Sequence, residues 1–322
     1  MDFALWLCKN SHMVNQFDWN ALQSFLAVAR CGRLTIAAQQ LGIDHSTLSR
    51  RMASLEKNLQ VRLFDRRPSG YTLTPQGETL LESAQSMEST ALGILDNVAG
   101  ASRKIAGTVR IGTPDGFGTS FLAPRLCKLA QQHPDLNIQL VTLPRVFSLS
   151  KREADIAISL ATPSEGRLHT RKLTDYELGL YGAPSYLAQH PPILSVADLK
   201  HHRFIGYIED MIYAPELDYL PLVSRDIHPF FASSNLLIQY QATLQGHGLC
   251  VLPCFMASAT PGLERVLAPD VTLHRSFHMI THSDIRNITR IRVTGDFIAR
   301  EVALSRAIFT AASPPETSSG RC

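Results

Sequence analysis

Apolar and polar residues alternate at helical spacing from Leu34 to Leu55, which predicts two short helices joined by a tight turn. Gly42 suits the end of the first helix because glycine adopts positive φ at little cost. Asp44 suits the N-cap of the second helix because its carboxylate can accept from unpaired backbone N–H groups. A further apolar stripe predicts a helix from about Asn20 to Arg30. The first part of the chain is therefore predicted to be built around a helix-turn-helix pair.

The second helix of this pair has two chemically different faces. Its apolar stripe consists of Leu48, Met52, Leu55 and Leu59. Its opposite face contains no acid and consists of Ser46, Thr47, Arg50, Ser54 and Lys57. Hydroxyls and arginine can reach base edges in a DNA major groove, while cations contact phosphates. The face therefore indicates DNA binding, although such helix pairs also occur as plain packing units.

A short basic hairpin, or wing, follows the helix pair. Residues Leu63 to Leu73 predict a strand, a turn at Pro68-Ser69-Gly70 and a second strand. Arg66 and Arg67 lie near its tip, where they could reach phosphates or the minor groove. Residues 17–75 contain eight Lys and Arg against four Asp and Glu, although the net charge of all 322 residues is only +3. The basic excess thus lies with the helix pair, as a nucleic-acid partner requires.

A long helix is predicted after Thr74-Pro75, which supply an N-cap and a first helical residue. Its apolar positions follow a heptad spacing at Leu80, Ala84, Met87, Ala91, Ile94 and Val98. A lone surface helix would drift away from this spacing, so we favour pairing with the same helix of a second chain. Docking on its own domain is the alternative.

Beyond a polar linker at residues 100–107, short apolar strands alternate with helical stretches. The predicted strands are Thr108–Gly112, Leu136–Val141, Asp155–Leu160, Leu178–Tyr181, Phe204–Tyr207, Leu249–Leu252 and His278–Thr281. Helices are expected from about Thr119 to Gln132 and from about Ile291 to Ala307. This alternation predicts an α/β unit with parallel sheets and covering helices.

Composition and motifs argue against several other classes of protein. The six cysteines contain no Cys-x-x-Cys pair, and no apolar run approaches the roughly 18 residues of a membrane span. Without a secretory pattern at the N-terminus, we expect a cytoplasmic protein with reduced thiols. A nucleophile elbow and a full dinucleotide fingerprint are both missing, so we expect no enzyme and no cofactor. His274, His278 and His282 are evenly spaced, but a strand followed by a loop would not bring them together, so no metal site is expected.

Motifs at the N-terminus occur together and in order. They are Phe25-Leu-Ala-Val-Ala, Gly32, Ala37-Ala38, Leu41, Ser46-Thr-Leu-Ser-Arg50, Leu55-Glu56, Leu63-Phe64-Asp-Arg66 and Leu73-Thr-Pro-Gln-Gly77. Ala154-Asp-Ile-Ala-Ile158 and Gly246-His-Gly-Leu-Cys-Val-Leu-Pro253 follow in the expected sequence. Over nearly all of residues 17–310 the chain resembles the LysR-type transcriptional regulators.

The resemblance implies a winged helix-turn-helix, a long linker helix and an effector domain of two subdomains that is similar to periplasmic binding proteins. The expected parts are an extension (1–16), the DNA-binding domain (17–75), the linker and dimerisation helix with its hinge (76–106), the effector domain (107–310) and a disordered tail (311–322). Met13 is an alternative start to Met1. The implied function is sequence-specific regulation of transcription, modulated by a small-molecule effector. The expected partners are double-stranded operator DNA, the effector and further copies of the chain as a homodimer or homotetramer.

Several residues are assigned to DNA contacts. The resemblance implies contacts from His45, Ser46, Ser49, Arg50 and Arg66, and the helical wheel adds Thr47. Arg67 lies beside them in the wing, and Arg51 is consistent with either packing or a phosphate contact.

The sequence departs from the family pattern in three places. Arg33 stands where Ser is frequent, Asp44-His45 where Ser-Gln is frequent, and Gln60 where Gly is usual. Because the Asp44-His45 change alters a base-reading position, the operator sequence cannot be transferred from relatives.

The resemblance places an effector pocket between the two subdomains, and ligands in open α/β sheets gather at the carboxyl ends of strands. One expected wall is the loop from Thr113 to Thr119, where a helix N-terminus would form an anion site. The candidate residues are Thr113, Asp115, Gly116, Phe117, Thr119, Phe147, Ser148, Tyr207, Ser234 and Asn235. Asp115 stands near where relatives often place Ser or Thr. It is expected to cap its helix, or else to repel carboxylate ligands and favour a ligand that donates hydrogen bonds.

Two functions from different classes agree with these features. The first is a ligand-responsive DNA-binding regulator. The second is a small-molecule-binding α/β protein whose helical N-terminus serves assembly only. The acid-free helix face and the basic wing favour the regulator.

Overall fold

A computed structural model describes residues 18–67, 70–98, 105–142, 154–163, 167–258 and 260–310. The chain divides into two compact units. The first unit comprises Met1–Ala101 with Ser150–Arg152, and the second comprises Ser102–Leu149 with Glu153–Cys322. The expected extension (1–16), most of the turn at the tip of the wing (68–69), most of the expected linker (100–107) and the tail (311–322) lie outside the described residues.

The first unit contains four helices and a hairpin within its described residues. They are α1 (Trp19–Cys31), α2 (Leu34–Leu41), α3 (His45–Leu59), β1 (Phe64–Arg67), β2 (Gly70–Leu73) and α4 (Pro75–Val98). Gly42 ends α2 in the left-handed conformation at φ 63, as the sequence predicts. Leu48, Met52 and Leu55 of α3 are buried in a core shared with α1 and α2.

Glu56 of α3 fastens the wing to the helix pair. The backbone N–H groups of Leu63 and Phe64 both donate to its Oε1 atom, at 2.8 Å and 3.3 Å. The two strands then pair antiparallel from Phe64 opposite Leu73 to Arg67 opposite Gly70. Because backbone groups near the start of β1 are held by a side chain of α3, the wing is fixed relative to that helix.

Thr74 begins α4 as the sequence predicts, since the N–H of Gly77 donates to its hydroxyl at 3.0 Å. The predicted heptad positions then divide into two groups. Ala84 is buried and Leu80 half-buried against the unit's own core, so docking accounts for the first part of the helix. Met87 and Ile94 are 45% and 56% exposed, so the second part of the helix still has apolar side chains that could pack against a partner helix.

The second unit is built on one mixed nine-stranded sheet. Its strands are β3 (Gly107–Thr113), β4 (Leu136–Thr142), β5 (Ile156–Ser159), β6 (Leu168–Gly182), β7 (Phe204–Gly206), β8 (Pro229–Ala232), β9 (Leu249–Pro253), β10 (Glu264–Val266) and β11 (Thr272–His282). The order is β4-β3-β5-β11-β6-β9-β7-β8, and β10 pairs with β6. The strands β3, β4 and β5 are parallel to one another, as are β7, β8 and β9.

Helices cover this sheet. They are α5 (Asp115–Phe117), which continues through a π-helical turn (Gly118–Leu122) into α6 (Ala123–Gln132), then α7 (Pro184–Leu187), α8 (Leu220–Val223), α9 (Leu236–Leu244), α10 (Cys254–Ala257), α11 (Thr289–Leu304) and α12 (Arg306–Phe309). Short 3-10 turns lie at Val196–His201, Glu209–Met211 and Pro215–Leu217. None of the described helices is both long and apolar enough to cross a membrane.

Four expectations for the second unit are corrected. The sheet is mixed rather than parallel, because β6 pairs antiparallel with β11 and β9 at its centre. The strand β6 is much longer than its apolar core suggested, because residues 168–175 are largely exposed and polar. The strand β11 is also longer than expected, since it begins at Thr272 rather than at His278. The first helix begins at Asp115 rather than near Thr119. His282 is also part of β11, so the three evenly spaced histidines lie along one strand.

We predict that Gln60→Gly stabilises the first unit by about 0.5–1 kcal/mol. Gln60 ends α3 at φ 55, a conformation that costs a residue with Cβ roughly 1–2 kcal/mol, and the larger unfolded-state entropy of glycine offsets part of the gain. Trp19 packs against the core of this unit, so urea unfolding followed by tryptophan fluorescence measures its stability.

Gln39→Gly is the matched control because Gln39 lies exposed within α2. Glycine in a helix interior should lower stability there by about 0.5–1 kcal/mol. Equal signs for the two substitutions would contradict the explanation.

Candidate nucleic-acid interface and effector site

The outward face of α3 carries the residues assigned to base contacts. His45, Ser46 and Arg50 are exposed, and Thr47 and Ser49 are half-buried. The face therefore offers an imidazole, hydroxyls and a guanidinium together. Lys57 is exposed further along the same helix.

Asp44 occupies the N-cap position of α3, but its side chain makes no capping hydrogen bond. Arg33 occupies the N-cap of α2 and likewise makes none. Both departures from the family pattern therefore leave a side chain exposed next to a helix N-terminus. Neither side chain supplies the cap that a serine could supply there.

The three flanking arginines have different surroundings. Arg51 is half-buried and its Nη1 atom donates to the hydroxyl of Ser24 at 3.5 Å, which favours the packing role. In the wing, Arg66 lies 3.5 Å from Glu56 and 5.7 Å from the centre of the Tyr71 ring, yet more than half of its side chain is exposed. Arg67 is exposed. The wing thus presents two accessible cations beside α3.

Most residues of the expected effector loop are buried. Thr113, Gly116 and Phe117 are buried, whereas Thr119 is exposed. The Phe117 ring packs 4.3 Å from Phe277 and 5.1 Å from Phe121, centre to centre. Phe117 therefore belongs to an aromatic core. Phe147 and Ser148 lie outside the described residues.

Asp115 joins two helix N-termini that are far apart in sequence. Its Oδ1 atom accepts from the N–H of Gly116 at 2.9 Å, at the start of α5. Its Oδ2 atom accepts from the N–H of Leu236 at 2.7 Å, the first residue of α9. The predicted capping role is thus extended, because the carboxylate also caps a helix 121 residues away.

Gly116 allows this approach. A Cβ atom at position 116 would lie 2.7 Å from the sulfur of Met256 and 2.8 Å from Cδ2 of Leu236. Such contacts are shorter than van der Waals packing tolerates. A side chain at this position would therefore require the side chains of Met256 and Leu236 to shift.

Asn235 completes the cap of α9. Its side-chain oxygen accepts from the N–H groups of Leu237 at 2.9 Å and Ile238 at 3.2 Å. With Asp115 on Leu236, three of the unpaired donors at this helix end have side-chain acceptors. Ser234, the remaining candidate on this segment, is half-buried.

Burial dominates the electrostatics around Asp115. It raises the pKa of the Asp115 carboxyl above the usual value, and the backbone N–H of Leu236 opposes the shift. Burial, and after it the charge of Asp115, raises the pKa of Tyr207, and the same two causes raise that of Tyr213 to about 12. Both phenols therefore stay neutral at physiological pH beside a negative charge.

Tyr207 also lines a cavity of about 310 Å³ in the part of the unit that contains β7, β8 and β9. Much of the lining is apolar or aromatic, including Ile205, Ile212, Leu217, Tyr219, Ile227 and Val251. Glu209, Asp218, Arg225 and His228 contribute charges or titratable groups of both signs. Of the eight effector candidates that the structure describes, Tyr207 alone lines this cavity.

Three groups near Asp115 or the cavity were not predicted from the sequence: the backbone N–H of Leu236, Tyr213 and Tyr219. A backbone N–H has no sequence signature, and the two tyrosines lie in a segment of short 3-10 turns without periodicity. In the described part of the chain, no three His, Cys, Asp or Glu side chains are grouped so that they could hold a metal ion.

Comparison with known families identifies both units. The family described as "LysR substrate binding domain" matches residues 102–303. The family described as "Bacterial regulatory helix-turn-helix protein, lysR family" matches residues 19–78. Together the two matches cover most of the chain.

Individual relatives agree with the family matches. The chain is 28% identical to the transcriptional regulator PtxR of Pseudomonas aeruginosa over 250 residues, which cover 76% of this chain and 79% of PtxR. It is similar to the solved structure of CrgA, a LysR-type regulator from Neisseria meningitidis, with 25% identity, a TM-score of 0.57 and coverage of 89% and 99%. Full-length OxyR of Pseudomonas aeruginosa, at 20% identity and a TM-score of 0.65, shares the fold over 89% of this chain and 98% of OxyR.

We predict that Asp115→Ala lowers the stability of the second unit by about 1 kcal/mol, because Leu236 loses its capping acceptor. Asp115→Asn keeps an acceptor oxygen at the same place and should lose less. Calorimetric unfolding of the full chain measures both variants. Equal losses in the two would contradict a capping role.

The difference in stability between the wild type and Asp115→Asn should depend on pH. Because the folded pKa of Asp115 is raised above its usual value of 3.8, the folded state binds this proton more tightly than the unfolded chain. The carboxyl therefore contributes stability below pH 3.8 that is lost as the pH rises through the folded pKa. The stability of the wild type relative to Asp115→Asn should increase as the pH falls from neutral towards 4. A constant or decreasing difference would contradict the direction of the shift.

Proposed function

The chain belongs to the LysR family of transcriptional regulators, and we propose that it reads its operator through α3 and the wing. The proposal rests on one observation above others: the acid-free face of α3 is accessible while its apolar stripe is buried. A helix of this kind can enter the major groove, where its first residues contact base edges.

Roles follow from exposure and chemistry. His45, Ser46 and Arg50 are proposed to contact base edges, with Thr47 and Ser49 at the margin of the contact. Arg66 and Arg67 of the wing are proposed to contact phosphates or the minor groove. Arg51 is proposed to support α3 through Ser24 rather than to reach DNA.

Self-association is proposed to place two such helices on one DNA site. Met87 and Ile94 are large, apolar and exposed on α4, at positions of the heptad pattern. Pairing of α4 with the same helix of a second chain would bury them and form a homodimer. Pairing of effector domains would extend it to a homotetramer, so that DNA units contact separated half-sites.

We propose that residues 17–75 form the DNA-binding domain, 76–106 the linker helix and hinge, and 107–310 the effector domain. We propose that the chain acts in the bacterial cytoplasm, where operator DNA lies, and has no catalytic activity of its own. In the effector domain, a ligand that binds one arrangement of the subdomains more tightly than another would shift the regulator between states.

Arg50→Ala should weaken binding to a duplex recovered from a random DNA pool by about 5- to 150-fold, which corresponds to about 1–3 kcal/mol. The loss follows from removal of an exposed guanidinium on the acid-free face of α3. A gel-shift titration at fixed salt concentration measures the change, because phosphate contacts make affinity depend on salt.

Arg171→Ala is the matched control, since Arg171 is exposed on β6 of the second unit. It should leave the affinity unchanged. Equal affinities for the wild type and Arg50→Ala would remove Arg50 from the interface.

Ile94→Glu should weaken dimerisation by about ten-fold or more, because pairing would bury an unpaired charge. Sedimentation equilibrium over a range of concentrations measures the change. Ser83→Glu, exposed on α4 outside the heptad positions, is the control and should associate as the wild type does. A monomeric wild type, or an unchanged Ile94→Glu, would contradict pairing through α4.

A further inference from the structure

The N-terminus of α9 is already supplied with a negative charge. Asp115 accepts from Leu236, while Asn235 accepts from Leu237 and Ile238. An effector carboxylate would compete with these acceptors for the same donors. It would also approach the charge of Asp115 at close range, which is unfavourable in a partly buried site. An anionic effector therefore fits this part of the domain poorly.

The carboxylate itself lacks a cationic partner among the described residues, because none of the ion pairs found there involves Asp115. Each of its oxygens accepts one backbone hydrogen bond, and an ionised carboxylate can accept about four in total. Asp115 is half-buried rather than enclosed. The remaining acceptor capacity is therefore available to a group that carries N–H donors.

Neutral aromatic rings line a cavity that α9 connects to this charge: Leu236, which donates to Asp115, lies one turn before Gln239, and Gln239 lines the cavity. The rings of Tyr207 and Tyr219 meet edge to face with centres 5.9 Å apart, and both residues line the 310 Å³ cavity.

Gly206, next to Tyr207, accepts from the N–H of Ser233 at 3.0 Å, which holds the segment before α9 against the cavity wall. In agreement with this arrangement, the charge of Asp115 contributes, after burial, to the raised pKa of Tyr207 and of Tyr213. Aromatic faces attract cations, and the apolar part of the cavity wall accommodates a hydrocarbon body.

We infer that the effector of this chain is a small amine with an apolar body, whose ammonium group binds between Asp115 and Tyr207 while its body occupies the cavity. The inference rests on the proposed effector domain and deepens it by assigning the charge of the ligand. The occupied helix N-terminus and the carboxylate, which has no cationic partner among the described residues, favour a positively charged group, while the apolar and aromatic part of the cavity wall favours an apolar body. With the ligand bound, the Asp115 carboxylate would accept hydrogen bonds both from the N-terminus of α9 and from the ammonium group.

Three probes of similar shape and different charge test the inference on the wild-type full chain. Benzylamine is cationic, benzyl alcohol is neutral and benzoate is anionic at neutral pH. Isothermal titration in the absence of DNA should give the tightest binding for benzylamine and weaker binding for benzyl alcohol, with benzoate the weakest. Equal binding of all three, tighter binding of benzoate, or no binding of benzylamine up to the millimolar range would overturn the inference.

Asp115→Asn provides the second arm because it removes the charge and keeps a capping oxygen. Benzylamine should then bind about ten-fold more weakly or worse, since a charge-assisted hydrogen bond is lost. Asp135→Asn, an identical change at an exposed position of the same unit whose sequence neighbours do not line the cavity, is the matched control and should bind benzylamine as the wild type does. Unchanged binding by Asp115→Asn would overturn the assignment to Asp115.

These titrations need no DNA, so their outcome is separate from that of the proposed regulatory function. A wild type that binds DNA but prefers benzoate would retain the proposed function and lose the inference. A wild type that binds benzylamine through Asp115 but fails to bind any duplex would retain the inference and lose the DNA-reading proposal.

Discussion

The antiparallel pairing of β6 with β11 is the constraint on which the second unit depends. Its register runs without interruption, except for one shift at Phe277/His278, from Thr272 opposite Gly179 to His282 opposite Leu168. The strands β5, β3 and β4 extend the sheet from one side of this pair, and β9, β7 and β8 extend it from the other. Because these two long strands connect both halves, α5 and α9 are brought together and Asp115 can cap a helix that belongs to the distant half.

In the first unit, contacts between neighbouring segments of the chain hold α3 and the wing in place. The apolar stripe of α3 is fixed in the core, and Glu56 at its far end holds the first residues of the wing. These contacts use the inner face and the end of the helix. The outer face is thereby left free for a partner, which is the arrangement that a DNA-reading helix requires.

The sequence predicted what depends on local periodicity and missed what depends on distant partners. The stripe of α3, the turn at Gly42 and the N-cap at Thr74 are local features, and all three were predicted correctly. The first half of β6 was missed because it is polar and exposed, which gives no apolar alternation. The bond between Asp115 and Leu236 was missed because one partner is a backbone group 121 residues away. Gln60 was noticed as a departure from a family glycine, but only its φ of 55 shows the backbone reason for that glycine.

We propose above all that the exposed face of α3 reads a DNA sequence in pairs of half-sites. Selection of bound duplexes from a random pool, followed by sequencing, tests it most directly. We predict an enriched motif of two similar half-sites in inverted orientation, which the Arg50→Ala variant no longer enriches. Recovery of duplexes without a common motif, or the same motif from the wild type and Arg50→Ala, would contradict the claim.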